Sequence, residues 1–123
     1  MRNLVGVSIV FFLLFFSCKK DGLETIQDNG PCDSSVATYN TIVKPIIVAK
    51  CATGTACHSP GFYKGNFNNY STVKSKVTNK SFYNRVFASK TSPMPPVGSK
   101  YGALTKCEKA LIRKWLDEGA QNN

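Results

Sequence analysis

Two cysteines and the only histidine of the chain lie within eight consecutive positions, between Cys51 and His58. The stretch reads Cys-Ala-Thr-Gly-Thr-Ala-Cys-His, so that Cys57 directly precedes His58 and five small residues separate the two cysteines. Two thiols and one imidazole this close together share one local environment in any fold. The rest of the chain is therefore expected to form a scaffold around this stretch.

A Cys-His dipeptide is the second half of the attachment signal for c-type haem. The cysteine thiolate adds to a haem vinyl group, and the adjacent imidazole becomes an axial ligand of the iron. The usual signal has two residues between its cysteines, whereas five intervene here. Gly54 permits the positive φ of a tight bulge, so a longer loop can bend back and present both thiols. The alternative is a plain Cys51–Cys57 disulfide with His58 as a bystander.

The amino-terminal segment predicts export. Arg2 is followed by an uncharged apolar run over residues 4–16 and then by Ser17 and Cys18. This run is too short to span a bilayer comfortably, and the whole pattern is typical of a signal peptide over residues 1–17. The cysteine directly after Ser17 resembles a bacterial lipoprotein signal, in which cleavage leaves Cys18 as the lipidated first residue. The alternative is an ordinary buried or anchoring cysteine after a secretory segment.

Lys19, rather than an aspartate, follows Cys18. By resemblance to the sorting rule of Gram-negative lipoproteins, this implies the outer membrane, with the protein facing the periplasm or the cell surface. Residues 18–35 are polar and rich in turn-forming residues, which predicts a flexible tether after the lipidated amino terminus. One folded domain is then expected over residues 36–123.

Export also determines how the five cysteines are interpreted, because thiols outside the cytosol are oxidised or otherwise occupied. Assigning Cys18 to lipid, and Cys51 and Cys57 to haem, leaves one pair. That pair, Cys32 and Cys107, is expected to form a disulfide. Among Cys32, Cys51, Cys57 and Cys107, the pair Cys32–Cys107 is the only disulfide that leaves both candidate haem thiols free.

The chain is strongly basic, with a formal net charge of +9. Residues 1–17 contribute one of these charges, so the exported protein keeps a large positive charge. Such a surface suits nucleic acid, anionic lipid or an acidic protein partner. Export argues against nucleic acid, and the basic residues of the middle segment do not form one compact run. Most of them are expected to belong to a solvated surface: Lys64, Lys74, Lys76, Lys80, Arg85, Lys90 and Lys100.

Apolar spacing predicts a helical domain. Apolar residues recur at intervals of three and four from Tyr39 to Cys51, which indicates one helical face. Pro45 interrupts this run and places the start of the regular helix, or a kink, at that residue or just before it. Two short helices are predicted over residues 70–77 and 81–87.

The last helix has clear signals at both ends. Thr105 and Glu108 form a predicted capping box at its start, with Cys107 in its first turn, and Gly119 closes it. Its apolar face is predicted to contain Ala110, Leu111, Ile112, Trp115 and Leu116.

Met94 lies in a proline-rich loop, Thr-Ser-Pro-Met-Pro-Pro over residues 91–96. Prolines fix an extended backbone, so the thioether is held in place with little entropy left to lose. A thioether is a suitable sixth ligand for haem iron, and in combination with His58 this favours Met94 as a ligand over a plain core or surface residue. Four aromatic residues after His58 are expected to cover either a porphyrin or a small helical core: Phe62, Tyr63, Phe67 and Tyr70.

Three segments together resemble class I c-type cytochromes, and more closely the single-haem domains of exported bacterial lipoproteins. Val-Lys-Pro-Ile at 43–46 precedes the cysteines, Met-Pro at 94–95 precedes the last helix, and that helix reads Ile-Arg-Lys-Trp-Leu-Asp-Glu-Gly-Ala over 112–120. The match covers roughly residues 36–120. The resemblance implies an all-α fold, a small cytochrome c-like helical domain with long loops around one haem.

The resemblance also implies a role for each candidate residue. Cys51 and Cys57 would be the thioether anchors of one haem c, His58 the proximal iron ligand and Met94 the distal one. Such a protein is an electron carrier rather than an enzyme, although displacement of Met94 would allow peroxide reduction. Its expected partners are an acidic redox protein and, through the lipid anchor, a membrane. No nucleic acid and no small-molecule substrate are predicted.

Three other interpretations remain. Zinc binding by the cysteines and His58, with Cys107 or Cys32 as a further ligand, lacks a close second pair of ligands and suits an oxidising compartment poorly. Blue copper normally needs two histidines, and the chain has one. The main alternative is a disulfide-stapled helical lipoprotein without a cofactor, acting as an interaction or structural module.

Overall fold

The computed structural model describes residues 32–123. The predicted signal peptide at 1–17, the lipidation candidate Cys18 and the tether as far as residue 31 lie outside the described residues. Within 32–123 the chain forms helices and loops and contains no strand, which confirms the prediction of an all-α fold. No helix in this range is both long and apolar enough to cross a membrane.

In the described part of the chain, four α-helical segments follow one another, and two of them are continuous with a π-helical turn. In chain order they are a first π-helical turn at Tyr39–Val43, α1 at Lys44–Cys51, α2 at Tyr70–Thr78, α3 at Ser81–Tyr83, a second π-helical turn at Asn84–Ala88, and α4 at Lys106–Asp117.

Pro45 determines where α1 begins. Proline lacks a backbone N–H and is tolerated only in the first turn of a helix, and Pro45 is the second residue of α1. The preceding residues wind more widely, with the Val43 N–H donating to the Thr38 carbonyl at 3.1 Å. The expectation that the regular helix begins at Lys44 or Pro45 is confirmed.

The core lies between α4 and the first helical segment. Tyr39 is almost fully buried; its ring stacks on Trp115 with centroids 5.2 Å apart and meets the edge of Tyr70 at 5.0 Å. Removing such apolar surface from water is the main source of stability in a domain of this size. Four residues of α4 face this core: Cys107, Leu111, Ile112 and Trp115.

The predicted apolar face of α4 was wrong at one position. Ala110 is exposed, whereas Leu111 and Ile112 are buried. A helix turns by about 100° per residue, so a stripe centred on Leu111 and Trp115 leaves Ala110 on the far side. A small apolar side chain such as alanine is a poor guide to the edge of the buried face of a helix, because burying one methyl group gains little free energy.

Both ends of α4 have the predicted caps. The Thr105 hydroxyl accepts from the Glu108 N–H at 3.1 Å, and the Glu108 carboxylate accepts from the Thr105 N–H at 2.7 Å. At the other end Gly119 has a φ of +87°, and the Ala120 N–H donates to the Trp115 carbonyl at 2.9 Å. The capping box and the closing glycine motif satisfy backbone groups that a helix terminus otherwise leaves open.

A disulfide joins Cys32 to Cys107, which are 75 positions apart in sequence. It ties the beginning of the described chain to the first turn of α4. Cys51 and Cys57 are free thiols, so the alternative pairing of these two is not formed. The disulfide is therefore the pair that the cysteine count leaves over.

We expect Thr105→Ala to lower the free energy of unfolding by about 1 kcal/mol, because the Glu108 N–H loses its acceptor. Urea denaturation followed by far-ultraviolet circular dichroism measures the change. Thr91→Ala is the matched control, since Thr91 is exposed and its hydroxyl makes no hydrogen bond within residues 32–123. Equal midpoints for the two variants would show that the cap contributes nothing.

Candidate functional site

A cavity of about 390 Å³ lies between the Cys51–His58 stretch, the second π-helical turn and the proline loop. All four residues predicted to attach or ligate haem line it: Cys51, Cys57, His58 and Met94. Its volume falls within the range of small-molecule and cofactor sites. The disulfide of Cys32 and Cys107 is not part of its wall.

Two backbone hydrogen bonds close the loop between the cysteines. The His58 N–H donates to the Cys51 carbonyl at 2.8 Å, and the Cys57 N–H donates to the Gly54 carbonyl at 3.2 Å. The ends of the five-residue insertion are therefore held together, and its middle, Gly54 to Ala56, is exposed. Gly54 has a φ of +88°, as the predicted bulge requires.

The end of α1 is fixed just before this loop. The Thr53 hydroxyl donates to the carbonyls of Val48 and Ala49, each at 2.8 Å. These carbonyls belong to the last turn of the helix, where some acceptors lack a partner within the helix. Cys51, the last residue of α1, is therefore held on a rigid element.

The bulge is packed against a neighbouring loop. A side chain at Gly54 would overlap the hydroxyl of Tyr101. The Tyr101 carbonyl in turn accepts from the Lys50 ammonium at 3.3 Å, and that ammonium lies 3.9 Å from the Glu108 carboxylate. The first turn of α4 thus contacts the residue that precedes Cys51.

His58 is held in one tautomer. Its Nδ1 lies 3.2 Å from the Gly65 carbonyl oxygen. A carbonyl only accepts, so Nδ1 carries the proton and Nε2 keeps its lone pair. The ring stacks on Phe67 with centroids 3.8 Å apart and planes 9° apart, and meets Phe62 edge-on at 5.2 Å. Both the rotation of the imidazole and its proton are therefore fixed.

Burial lowers the pKa of His58 below its ordinary value, and the positive charges of Lys76, Lys64 and Arg85 lower it further. The bond to the Gly65 carbonyl opposes this shift in part. The imidazole is consequently neutral near pH 7, which is the form that binds a metal ion.

Cys51 is a partly buried thiol rather than a thiolate. Burial raises its pKa to about 12, and the nearby Cys57 and Glu108 add to the shift. A protonated thiol of this kind is a poor ligand for a free metal ion. Within residues 32–123 no group of three or more His, Cys, Asp or Glu side chains is arranged to hold a metal, so the structure offers no four-ligand zinc site there.

Met94 is fixed to the second π-helical turn. Its N–H donates to the Arg85 carbonyl at 2.8 Å, and its side chain is half-buried at the cavity wall. Prolines on both sides restrict the backbone further. The thioether is thereby carried on a loop with a defined attachment to a helix.

Four basic side chains line the cavity: Lys50, Lys64, Lys76 and Arg85. Lys50 lies near Glu108, and the other three have no carboxylate within 4.0 Å in residues 32–123. The reason is visible in the sequence, which has no acidic residue between Asp33 and Glu108. The cavity therefore has apolar walls with a positive charge.

Sequence reasoning did not identify which basic residues line the cavity. The three cations Lys64, Lys76 and Arg85 belong to a loop, to α2 and to the second π-helical turn, and they were expected to be part of a solvated surface. The Gly65 carbonyl and the Tyr101 hydroxyl were also missed as contacts. The missing acidic residues were the one signal in the sequence that marked this region.

Comparison with protein-family models, curated proteins and solved structures finds no match to this chain.

We expect Gly54→Ala to destabilise the fold more than Gly61→Ala does. Both glycines have a φ near +88°, so both variants bear the same backbone strain, about 1 kcal/mol. Only the methyl group at position 54 meets another atom, the Tyr101 hydroxyl. Thermal unfolding of the two variants measures the difference.

The double variant G54A/Y101F tests the cause, because it removes the hydroxyl and leaves the ring. We expect it to recover the extra loss and to unfold near G61A. Equal stability of G54A and G61A would show that the bulge does not pack on Tyr101.

Proposed function

We propose that this chain is an electron carrier with one covalently attached haem c, exported and anchored by a lipid on Cys18 to a bacterial membrane. Cys51 and Cys57 are its thioether anchors, and His58 and Met94 are its axial iron ligands. In this proposal the described domain is of the class I cytochrome c type. The outer membrane of a Gram-negative bacterium, on its periplasmic or outer face, is the expected location.

One observation carries the proposal: Met94 lines the same cavity as Cys51, Cys57 and His58, although it is distant from that stretch in sequence. A disulfide-stapled module has no need of an imidazole and a thioether in one cavity. Neither does a helical domain whose methionine serves only as packing, because a core methionine would be buried among apolar side chains rather than placed in a proline loop at a cavity.

The residues present fit a haem. The neutral His58 offers Nε2 as a ligand, and its Nδ1–H bond to the Gly65 carbonyl is the kind of outer contact that orients metal-bound histidines. Phe67 and Phe82 provide apolar wall. The cations at the cavity suit the two anionic carboxylates that haem carries.

Bound haem would supply a reversible one-electron change at iron, with His and Met ligation raising the reduction potential. The chain's own residues do the remaining work. The Gly65 carbonyl and the Phe67 ring hold the imidazole, and the Arg85 carbonyl holds the Met94 backbone. Ligands that are fixed in advance move little when the charge changes, which keeps electron transfer fast. No substrate bond is made or broken.

The alternative function is a disulfide-stapled helical lipoprotein that acts as an interaction or structural module. The observation that favours it is the Cys32–Cys107 bond, which links the start of the domain to α4 without using the cavity. This alternative leaves Cys51 and Cys57 without a role, and free thiols are unusual in an oxidising compartment.

Covalent attachment is tested by producing the chain in a host with haem-maturation machinery and measuring the mass of the denatured protein. We expect one haem per chain, retained through acidified organic extraction. C51A and C57A should each keep haem through one thioether, and the double variant C51A/C57A should lose it.

The double variant C32A/C107A is the matched control, because it also removes two cysteines but leaves both candidate anchors. We expect it to keep covalent haem. A colourless wild-type protein would favour the disulfide-stapled alternative, and haem retained in C51A/C57A would rule out these two thiols as anchors.

The positive cavity also bears on the redox partner, which we propose to be an acidic protein. Charges of one sign around a cofactor steer a partner of the opposite sign over a Debye length of about 10 Å at 0.1 M salt. From Ser34 to Cys107 the sequence carries only basic charged residues, so no carboxylate there offsets the attraction.

We expect oxidation of the reduced protein by an anionic mediator such as ferricyanide to slow as salt is raised, by about 10-fold between low and high ionic strength. Reaction with a cationic mediator should accelerate. Stopped-flow spectroscopy measures both rates.

Lys76→Glu places a negative charge at the cavity and should weaken the salt dependence. Lys109→Glu makes the same change of net charge on α4, away from the cavity, and should affect the rates less. Identical salt dependence for both mediators would contradict electrostatic steering.

A further inference from the structure

Arg113 of α4 contacts two aromatic rings of the segment that follows α2. Its guanidinium carbon lies 4.7 Å from the centroid of the Tyr83 ring and 4.6 Å from that of Phe87. Its Nη1 also donates to the Tyr83 hydroxyl at 2.8 Å. One cation therefore contacts two side chains that lie one helical turn apart, with ring centroids separated by 5.3 Å.

The helical turn that Arg113 contacts also binds the backbone of Met94. Arg85 lies between Tyr83 and Phe87, and its carbonyl accepts the Met94 N–H at 2.8 Å. On the inner side of the same turn, Val86 is buried in the core. The turn is thus fixed from two directions, by the core beneath it and by Arg113 beside it.

We propose that Arg113 is a positioning residue, which holds Tyr83 and Phe87 so that the Arg85 carbonyl is presented to Met94. The effect of Arg113 on the Met94 backbone follows from these contacts alone. Its effect on an iron ligand rests on the proposed function.

The chemistry of the side chain explains why this position carries an arginine. A guanidinium is planar, lies flat against an aromatic face and keeps N–H groups free to donate in its plane. A lysine at 113 would keep the charge, but its compact, strongly hydrated ammonium would cover less of the two rings and would lack the fork of N–H donors. The contact is partly shielded from water, which strengthens a cation–π interaction.

Amide hydrogen exchange of the full protein, as purified, tests the proposal without depending on haem. We expect the Met94 amide to exchange about 5- to 30-fold faster in Arg113→Met than in wild type. Arg113→Lys should fall between the two. Lys109→Met is the matched control, since it also replaces a basic residue of α4 by methionine but touches neither ring, and it should leave the Met94 amide unchanged.

The Ile47 amide of α1 separates positioning from a general loss of stability. Faster exchange at Met94 with unchanged exchange at Ile47 supports the proposal. Equal acceleration at both amides would make Arg113 merely structural, and an unchanged Met94 amide in R113M would overturn the proposal.

A second measurement addresses the ligand role in haem-loaded protein. Added imidazole competes with the thioether for iron, so a loosened Met94 should lower the imidazole concentration for half displacement in R113M but not in K109M. If the wild-type protein carries no haem, the proposed function fails, while the exchange experiment still decides the role of Arg113. Haem present with unchanged displacement and faster Met94 exchange would limit Arg113 to the backbone contact.

Discussion

The hydrogen bond from the His58 N–H to the Cys51 carbonyl is the contact on which the candidate site depends. It converts a loop with five residues between its cysteines into a closed bulge, so that both thiols and the imidazole stand at one wall. Without this hydrogen bond the five inserted residues would form a flexible loop. Ordering that loop around a ligand would cost about 1 to 2 kcal/mol of conformational entropy for each residue fixed. The structure meets that cost during folding, partly through the contact of Gly54 with Tyr101.

Helix α4 holds both walls of the cavity, each through a different part of its length. Its first turn contacts the His58 wall, because Glu108 lies near Lys50, which directly precedes Cys51. The middle of α4 contacts the Met94 wall, because Arg113 packs against the helical turn whose Arg85 carbonyl accepts the Met94 N–H. A rigid helix of 12 residues therefore sets the separation of two segments that are distant in sequence. The capping box and the disulfide fix the first turn of this helix and, with it, the position of the cavity.

Much of the helical framework was predictable because its signals are local. A capping box, a glycine after the last turn and a proline in the first turn act through neighbouring backbone groups, so Thr105, Gly119 and Pro45 marked helix ends correctly. The prediction that the cysteines, His58 and Met94 act together came from residue types that suit haem attachment and ligation. It did not come from apolar periodicity. Ala110 was misplaced because one methyl group scarcely changes the free energy of burial. The grouping of Lys64, Lys76 and Arg85 was not predictable, since it depends on tertiary packing that no local pattern encodes.

The charge of the cavity has a consequence for the fold itself. Lys64, Lys76 and Arg85 repel one another, and in residues 32–123 no carboxylate lies close enough to pair with them. Such repulsion opposes the compact state and acts most strongly where water is partly excluded. A bound group that carries negative charge relieves the repulsion, and any ligand that binds only the folded chain stabilises it further. Occupancy of the cavity and stability of the domain are therefore coupled, and the basic residues around His58 favour the folded state most when an anionic ligand is bound.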